Sequence, residues 1–170
     1  MPLEPHGPVA WWSPDPRAVI PIGQLHVSRS LRRSMRSFTF TVNTAFGEVI
    51  RACADPTRPH GWIDPQIIAA YEELHSLGWA HSVETRNAAG ELIGGVYGIA
   101  IAGLFAGESM FHRVSDASKA ALAALHSLLK DNDFLLFDVQ WLTPHLSSLG
   151  AIDLSRTEYL RRLERAIAQQ

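Results

Sequence analysis

The spacing of apolar and polar residues predicts a chain that combines strands with helices. Strands are expected where β-branched and aromatic residues alternate with polar ones or form short apolar runs, at 38–43, 79–86, 91–100, 104–113 and 134–142. Helices are expected at 44–54, 63–78 and 116–132, with a short one after Ser28 and a last one after Ser155. This order predicts an α+β fold in which helices flank a mixed β-sheet.

Length and composition favour one globular domain with a short appendage. Of the 170 residues, 46% are hydrophobic, which is enough to build a core. Residues 1–16 contain five prolines and no signal-peptide pattern, so we expect an extended arm before a domain at 17–170. Cys53 is the one cysteine and allows no internal disulfide bond, and the uncharged stretch 92–107 is shorter than a membrane helix. We therefore expect a soluble, cytoplasmic protein.

Basic residues are concentrated near the start of the chain. The net charge is −2, but the octet RSLRRSMR contains four arginines, Arg29, Arg32, Arg33 and Arg36. Arginine can bind a phosphate group through two parallel hydrogen bonds, so the cluster is a candidate contact for nucleic acid. A solvated helix face has the same composition, and the pattern alone leaves both interpretations open.

Several common catalytic patterns are missing from the sequence. The eight histidines form no HExxH motif and there is no cysteine pair, so we expect no metal site. Gly107-Glu108-Ser109 begins like the G-x-S-x-G nucleophile motif, but Phe111 stands where that motif has its last glycine. The predicted helix at 116–132 also lacks the glycine loop with which acyl-CoA transferases hold pyrophosphate.

Two polar features remain as candidates for chemistry. Glu108 directly follows the apolar run LIGGVYGIAIAGLFAG, where a carboxylate costs free energy unless a partner needs it. Asp138 and Gln140 lie two residues apart on a predicted strand, so their side chains are expected on one face. A structural role is possible for each feature: a salt bridge from Glu108 to Arg113 or Lys119, and an exposed strand edge at Asp138 and Gln140.

Ten motifs, spread over nearly the whole chain, form a specific combination. They are WWSPDPRAVIP, HVSRSLRR, AF..VI..CA, GWI, AYEELHSLGWAHSVE, ELIGGVYGIA, LFAGESMF, ASKAAL, DVQ and HLSSLGA. In this order the chain resembles the leucyl/phenylalanyl-tRNA–protein transferases, and GESMF, D-x-Q and SLGA are the most specific part of the match. The chain is identified as a member of this family.

The resemblance implies a fold, a reaction and its partners. Such enzymes move Leu or Phe, and more weakly Met, from aminoacyl-tRNA to the α-amine of proteins that begin with Arg or Lys. The product carries a signal for degradation by the bacterial N-degron pathway. The catalytic domain is similar to the GNAT acyltransferase fold and is expected to need no metal or organic cofactor. We also expect a monomer with no membrane partner.

The family's residue roles carry over at matching positions. Glu108 resembles the carboxylate at the aminoacyl pocket, Gln140 the residue that contacts the attacking amine, and Asp138 its orienter. The arginines of RSLRRSMR match the basic cluster expected to hold the acceptor stem of tRNA. The remaining expected substrate contacts are Trp62 and Tyr71 near the aminoacyl-adenosine end, Val96 and Phe105 as apolar pocket walls, and Ser109.

These roles agree with the chemistry of an activated ester. The reference pKa of an α-amine is about 8, so a fair fraction is neutral at neutral pH and no strong base is required. Gln140 can accept a hydrogen bond from the amine through its carbonyl oxygen while its NH₂ group donates to Asp138. Glu108, at the lip of an apolar pocket, is expected to face the α-amino group of the donor residue.

The front of the chain departs from the family. Members begin with a small N-terminal domain that ends in a G-x-F-P-W segment, whereas only ten residues precede Trp11 and they contain no such segment. We therefore expect this domain to be mostly missing, with residues 1–16 as its remnant. Smaller departures are Thr85-Arg86, where the family tends to have a tryptophan after VE, and His112, where serine is usual; Arg86 and His112 can each add a phosphate contact or nothing.

Two other functions stay open on the sequence. One is a GNAT-like acyltransferase with another aminoacyl or acyl donor, and the other is a tRNA- or N-degron-binding module without turnover. The predicted last helix carries Arg161, Arg162 and Arg165, which suit an RNA contact or a subunit contact equally well.

Overall fold

The computed structural model describes residues 12–57 and 61–169. The strands are β1 (Arg17–Ile20), β2 (Thr39–Val42), β3 (Ala80–Arg86), β4 (Leu92–Ile101), β5 (Leu104–His112), β6 (Leu136–Gln140) and β7 (Ile152–Leu154). The helices are α1 (Arg29–Met35), α2 (Phe46–Cys53), α3 (Pro65–Ser76), α4 (Ala117–Asp131), α5 (Pro144–Ser147) and α6 (Arg156–Ile167). Most of the predicted arm lies outside the described residues, so its separation from the domain stays a prediction.

The seven strands form one sheet in the order β2-β3-β4-β5-β6-β1-β7. The pair β5 and β6 is parallel, and the other neighbouring pairs are antiparallel. The predicted mixed sheet flanked by helices is therefore confirmed.

Helices cover both faces of the sheet. Alternation along the strands sends Val96 and Phe105 into a cluster with α4, whereas their neighbours Tyr97 and Leu104 lie on the other face. Helices α1, α4 and α5 therefore lie on one face, and α2, α3 and α6 lie on the opposite face.

Local capping explains where most helices begin. Helix α3 starts after Asp64, whose side chain accepts a hydrogen bond from the Ile67 amide at 2.8 Å, with Pro65 at the first helical position. The side chains of Ser28 and Ser155 cap α1 and α6 in the same way. Helix α4 begins where expected, but Asp116 makes no side-chain cap and has a left-handed φ of 68°.

Small residues let α4 approach the sheet closely. Ala117, Ala120 and Ala121 are fully buried on this helix. A side chain at Gly94 on β4 would lie only 2.7 Å from the Ala117 Cβ, so the glycine permits this contact. The expectation that the alanines of this helix allow close packing is confirmed.

Three short elements were not predicted from the sequence. Strand β1 has four residues and β7 has three, and helix α5 is a single turn. Elements of this length give too few repeats to show a period. Strand β1 nevertheless lies inside the sheet, where it pairs with β6 on one side and β7 on the other.

Within the described ranges, no helix is long and apolar enough to cross a membrane.

Candidate active site

A gap opens in the sheet between β5 and β6. The two strands pair only from Leu104 opposite Leu136 to Ala106 opposite Asp138. Beyond that point β5 continues to His112, while β6 ends at Gln140. Within the described ranges, the gap leaves one edge of β5 without a strand partner, and Glu108 and Gln140 lie at its mouth.

Both candidate residues are placed by β-bulges. On β5, Ser109 pairs with Tyr97 and Gly107 pairs with Gly98, so Glu108 is an extra residue in the ladder. On β6, the shift in pairing with β1 falls at Val139, between Asp138 and Gln140. A bulge bends its strand and re-aims nearby side chains, and bulges are common beside active sites.

The side chain of Gln140 crosses the gap to β5. Its Nε2 donates to the Glu108 carboxylate at 3.1 Å and lies 3.4 Å from the Gly107 carbonyl oxygen. The reverse amide orientation would face an oxygen towards two acceptors, so this orientation is fixed by chemistry. Among the described residues, nothing donates to the Gln140 Oε1, which is left to accept a hydrogen bond from a substrate.

Asp138 holds the backbone of Gln140. Its carboxylate accepts hydrogen bonds from the guanidinium of Arg17, with a shortest distance of 2.6 Å, and from the Tyr159 hydroxyl at 2.8 Å. It also accepts from the Gln140 backbone amide at 2.9 Å. The expected hydrogen bond from the Gln140 side chain to Asp138 is wrong, because that side chain turns towards β5 beyond the bulge.

The backbone of Gln140 is strained. Its φ is 68°, in the left-handed region, which costs a residue with a Cβ roughly 1–2 kcal/mol. The hydrogen bond from its amide to the buried Asp138 carboxylate offsets this cost, since bonds to charged groups are worth about 1.5–3 kcal/mol. The strain therefore persists because the surrounding network holds it.

Among the residues that the structure describes, no cation forms an ion pair with the Glu108 carboxylate. Its pKa is raised, chiefly because burial disfavours the charged form and further because of the charge of Asp138. The hydrogen bonds of Gln140 and Tyr71 and the charge of Arg17 oppose this shift. The pKa of Tyr71 is raised as well, first by burial and then by Glu108.

A structural salt bridge does not explain Glu108. Among the described residues, neither Arg113 nor Lys119 forms an ion pair with it. Arg113 instead donates to the Leu92 carbonyl oxygen at 2.7 Å and lies over the ring of Phe111. The salt-bridge alternative is therefore wrong.

The other predicted substrate contacts lie on both faces of the sheet. Trp62 and Tyr71 pack against the cluster beneath α2 and α3, and Ser109 pairs with Tyr97 on that side. Val96 and Phe105 lie in the α4 cluster, each only 3% exposed. The structure thus brings Tyr71 to Glu108 and Gln140, but places the two proposed pocket walls behind the sheet.

Two groups of arginines are candidates for binding an anionic partner, one on and just after α1 and the other on α6. Arg29, Arg32, Arg33 and Arg36 are exposed on and just after α1, and their guanidinium groups form no ion pair with any described residue. On α6, by contrast, Arg161 and Arg162 both pair with Glu158, at 2.8 and 2.7 Å. The cluster on α1 is therefore the better candidate for an anionic partner.

Two members of the site were not recognised in the sequence. Arg17 lies within the motif WWSPDPRAVIP, and Tyr159 lies on the last helix. A buried carboxylate needs a partner of opposite charge, but the strand pattern did not predict that Asp138 would be buried. Arg17 becomes that partner only through the placement of β1 beside β6.

In the described part of the chain, no group of three or more His, Cys, Asp or Glu residues is arranged to hold a metal ion.

Comparison with known proteins identifies the family. The family profile described as "Leucyl/phenylalanyl-tRNA protein transferase" matches residues 19–164. The chain belongs to this family. The match includes Glu108, Asp138 and Gln140, and it starts just after Arg17.

Curated members of the family are similar over most of this chain. The leucyl/phenylalanyl-tRNA–protein transferase of Azoarcus sp. (strain BH72) is 51% identical over 162 residues, which are 93% of this chain and 68% of that protein. The enzyme of the same name from Alkalilimnicola ehrlichii is 49% identical, and the match covers 96% of this chain and 65% of that protein. The enzyme of the same name from Herpetosiphon aurantiacus is 46% identical, over 98% of this chain and 87% of that protein. The chain thus spans about two thirds of the first two relatives and most of the third.

A solved structure supports the fold. The chain resembles L-PGS from Bacillus licheniformis with a TM-score of 0.54 and 12% identity, over 92% of this chain and 66% of that one. At this identity the likeness concerns the fold alone. The GNAT-like architecture expected for the family is confirmed.

The ion pair beneath Gln140 predicts a large stability loss when it is broken. Arg17→Met leaves the carboxylate of Asp138, which is 1% exposed, without its cation. We expect the free energy of unfolding to fall by about 3–5 kcal/mol. The control Tyr159→Phe removes one hydrogen bond and is expected to cost about 1–3 kcal/mol. Urea unfolding of both variants measures the difference, and equal losses would contradict the assigned role of the arginine.

The raised pKa of Glu108 predicts a pH-dependent gain in stability on substitution. The contribution of the Glu108 carboxyl group to the free energy of unfolding is fully present below its unfolded-state pKa. This contribution is lost as the pH rises through the higher folded-state pKa. Glu108→Gln should therefore unfold at a higher temperature than the parent at neutral pH, with the gap closing in acid. Thermal unfolding from about pH 4 to about pH 8 tests this, with Glu73→Gln on the exposed face of α3 as control.

Proposed function

We propose that this chain transfers leucine or phenylalanine, and more weakly methionine, from aminoacyl-tRNA to proteins that begin with arginine or lysine. Family membership supports an aminoacyl-tRNA donor and a protein acceptor. The contact between Gln140 and Glu108 at the mouth of the gap carries the proposal, because the Gln140 NH₂ group donates to the carboxylate and leaves the amide oxygen to accept a hydrogen bond from a substrate. In this proposal the chain acts in the bacterial cytoplasm as a monomer and marks its products for the N-degron pathway.

Gln140 positions the attacking amine. The Nε2 group is engaged by Glu108, so the Oε1 atom is free to accept a hydrogen bond from the α-amine of the acceptor protein. This bond orients the nitrogen lone pair towards the ester carbonyl carbon, and orientation of this kind lowers a reaction barrier by several kcal/mol. Asp138 acts through the Gln140 backbone and fixes the position from which the side chain reaches out.

Glu108 receives the donor residue. Its carboxylate lies in a half-buried position beside Tyr71 and Gln140, where a charge is poorly solvated. A protonated α-amino group on the aminoacyl ester supplies the missing cation and lowers the pKa of the carboxylate again. The favourable pairing therefore forms only when the donor is bound.

The reaction itself needs no net acid or base. The acceptor nitrogen forms an amide bond with the carbonyl carbon of the donor, and the ester bond to the ribose oxygen breaks. The nitrogen loses one proton and the ribose oxygen gains one, so atoms and charges balance. Because an aminoacyl ester is already activated, it is sufficient for Gln140 and Glu108 to position the acceptor amine and the donor.

The donor side chain enters the α4 cluster through the gap. Val96 and Phe105 are almost fully buried there, so neighbouring side chains must move to admit a leucine or phenylalanine. Met35 and Met110 pack against the same cluster, and unbranched methionine side chains repack easily. An apolar pocket of this kind favours Leu, Phe and Met over polar residues.

The RNA part of the donor contacts two further groups. Trp62 and Tyr71 are partly exposed aromatic residues on the α3 side of the site. Stacking of a base on such a ring is worth roughly 1–3 kcal/mol. The arginines of α1 and Arg36 then hold the acceptor stem through its phosphates, which positions the RNA without reading its sequence.

The role of Gln140 predicts a loss of turnover. With radiolabelled Leu-tRNA and an acceptor protein that begins with Arg, we expect transfer by the parent chain and a decrease in kcat of about 100-fold for Gln140→Ala. The matched control Gln66→Ala, at an exposed position of α3, should be unaffected. An acceptor that begins with Gly should receive no label. Absence of transfer by the folded parent would refute the proposed function.

The α1 cluster predicts a change in the salt dependence of tRNA binding. Each of Arg29→Gln, Arg32→Gln, Arg33→Gln and Arg36→Gln should weaken binding and lower the slope of log K against log salt by about 1. Arg161→Gln is the control, because this guanidinium is paired with Glu158. Filter binding over a salt series gives the slopes, and equal changes in the control would show that the cluster has no special role.

A further inference from the structure

The chain turns sharply at Gln140, directly before an exposed tryptophan. The Trp141 amide donates a hydrogen bond to the Val139 carbonyl oxygen at 2.9 Å. With the φ of 68° at Gln140, this bond forms a γ-turn of the rare type that has a positive φ at its central residue. The Gln140 side chain crosses to Glu108, while Trp141 lies just beyond the end of β6. Trp141 is therefore adjacent to the residue that positions the acceptor amine in the proposed reaction.

The indole ring of Trp141 is open to a ligand. The residue is 51% exposed, although it is among the largest apolar residues of the chain. Within the described ranges, its indole N–H makes no hydrogen bond, and its ring contacts no other aromatic ring and no cation. Exposed aromatic side chains of this kind are enriched where proteins bind their partners. The position beside Gln140 makes the ring a candidate contact for the substrate.

The carboxylates that contact Gln140 are already engaged. Asp138 accepts hydrogen bonds from Arg17 and Tyr159. It accepts another from the Gln140 backbone, while Glu108 pairs with the α-amino group of the donor in the proposed reaction. The acceptor brings a second cation, which is the side chain of its N-terminal Arg or Lys. A partner other than these two carboxylates is therefore required for that cation.

An aromatic face can serve as this partner. Guanidinium and ammonium groups are attracted to the face of an aromatic ring, and tryptophan binds them best. The α-carbons of Gln140 and Trp141 are about 3.8 Å apart, as in any trans peptide unit. The long side chain of Arg or Lys can therefore reach the indole while its own α-amine stays at the Oε1 atom of Gln140.

We infer that Trp141 binds the cationic side chain of the acceptor's N-terminal residue and contributes the preference for Arg or Lys. The inference rests on the proposed function and names a residue that reads the acceptor in that reaction. No bond forms or breaks at Trp141. The contact exists before and during the transfer, so it is expected to lower KM for the acceptor rather than to raise kcat.

Transfer to a matched pair of acceptor peptides tests this contact. One peptide begins with arginine, and the other begins with citrulline, which has nearly the same shape but no charge. With Leu-tRNA as donor, Trp141→Leu should raise KM for the arginine peptide about five- to thirtyfold and leave kcat unchanged. The increase should be smaller for Trp141→Phe, and smaller for the citrulline peptide. An equal increase with both peptides would overturn the inference.

Trp79 provides a matched control. It is 48% exposed and accepts a hydrogen bond from Ala100 near the end of β4, at the end of the sheet where β6 begins. Trp79→Leu removes a tryptophan of similar exposure at the opposite end of β6 from Trp141. We expect parental KM values for both peptides, with thermal midpoints showing that both leucine variants are folded. The same rise in KM in both variants would overturn the specific role of Trp141.

An exposed carboxylate offers the main alternative partner for the acceptor cation. Asp153 on β7 and Gln140 on β6 both pair with Ala18 on β1, one from each side, so their α-carbons lie about 10 Å apart. Asp153 is exposed and forms no ion pair with the residues that the structure describes. Asp153→Asn should keep the preference for arginine over citrulline. Loss of this preference in Asp153→Asn but not in Trp141→Leu would overturn the assignment.

Binding without turnover separates this inference from the proposed function. The indole N–H signal of Trp141 is assigned by NMR from its loss in Trp141→Leu and is followed during titration with each peptide. We expect this signal to shift, with tighter binding of the arginine peptide than of the citrulline peptide. No shift, or equal affinities, would overturn the inference. If the parent transfers to neither peptide but its Trp141 signal shows the tighter binding of arginine, the proposed function fails and the cation site stands.

Discussion

The buried carboxylate of Asp138 is the constraint on which the site depends. It is 1% exposed and joins β6 to Arg17 on β1 and to Tyr159 on α6. Its remaining hydrogen bond goes to the backbone of Gln140. A charge in such a place is stable only if all of these partners are present, so the packing of β1 and α6 is linked directly to the position of the candidate catalytic amide.

A second feature is the interruption of regular sheet structure on two neighbouring strands. Pairing of β5 with β6 ends at Ala106 and Asp138, and each strand then carries one extra residue, Glu108 and Val139. The bulge on β5 also requires Gly98 opposite, where a side chain would collide with the Ala106 carbonyl oxygen. A continuous ladder would fill the space with backbone hydrogen bonds, whereas this arrangement leaves room for a substrate between two strands of a stable sheet.

The sequence predicted features that depend on neighbouring residues and failed for those that depend on distant ones. The start of α3 could be predicted because Asp64 and Pro65 act within one turn. Motif resemblance identified Glu108, Asp138 and Gln140 as a set. The direction of the Gln140 side chain could not be predicted from strand alternation, because it is set by pairing with β1, and the partner Arg17 is 121 residues away in the chain. The short strands β1 and β7 escaped recognition for the related reason that they gain their stability from the sheet.

The left-handed backbone at Gln140 has a consequence for which amino acids this position can hold. Glycine and asparagine adopt a φ near 68° at less cost than glutamine does. Glycine has no side chain to cross the gap, however, and asparagine is one methylene group shorter than the 3.1 Å contact with Glu108 requires. Low backbone strain and a side chain long enough to contact Glu108 therefore favour different residues at this position. Glutamine meets the second requirement at the cost of the first.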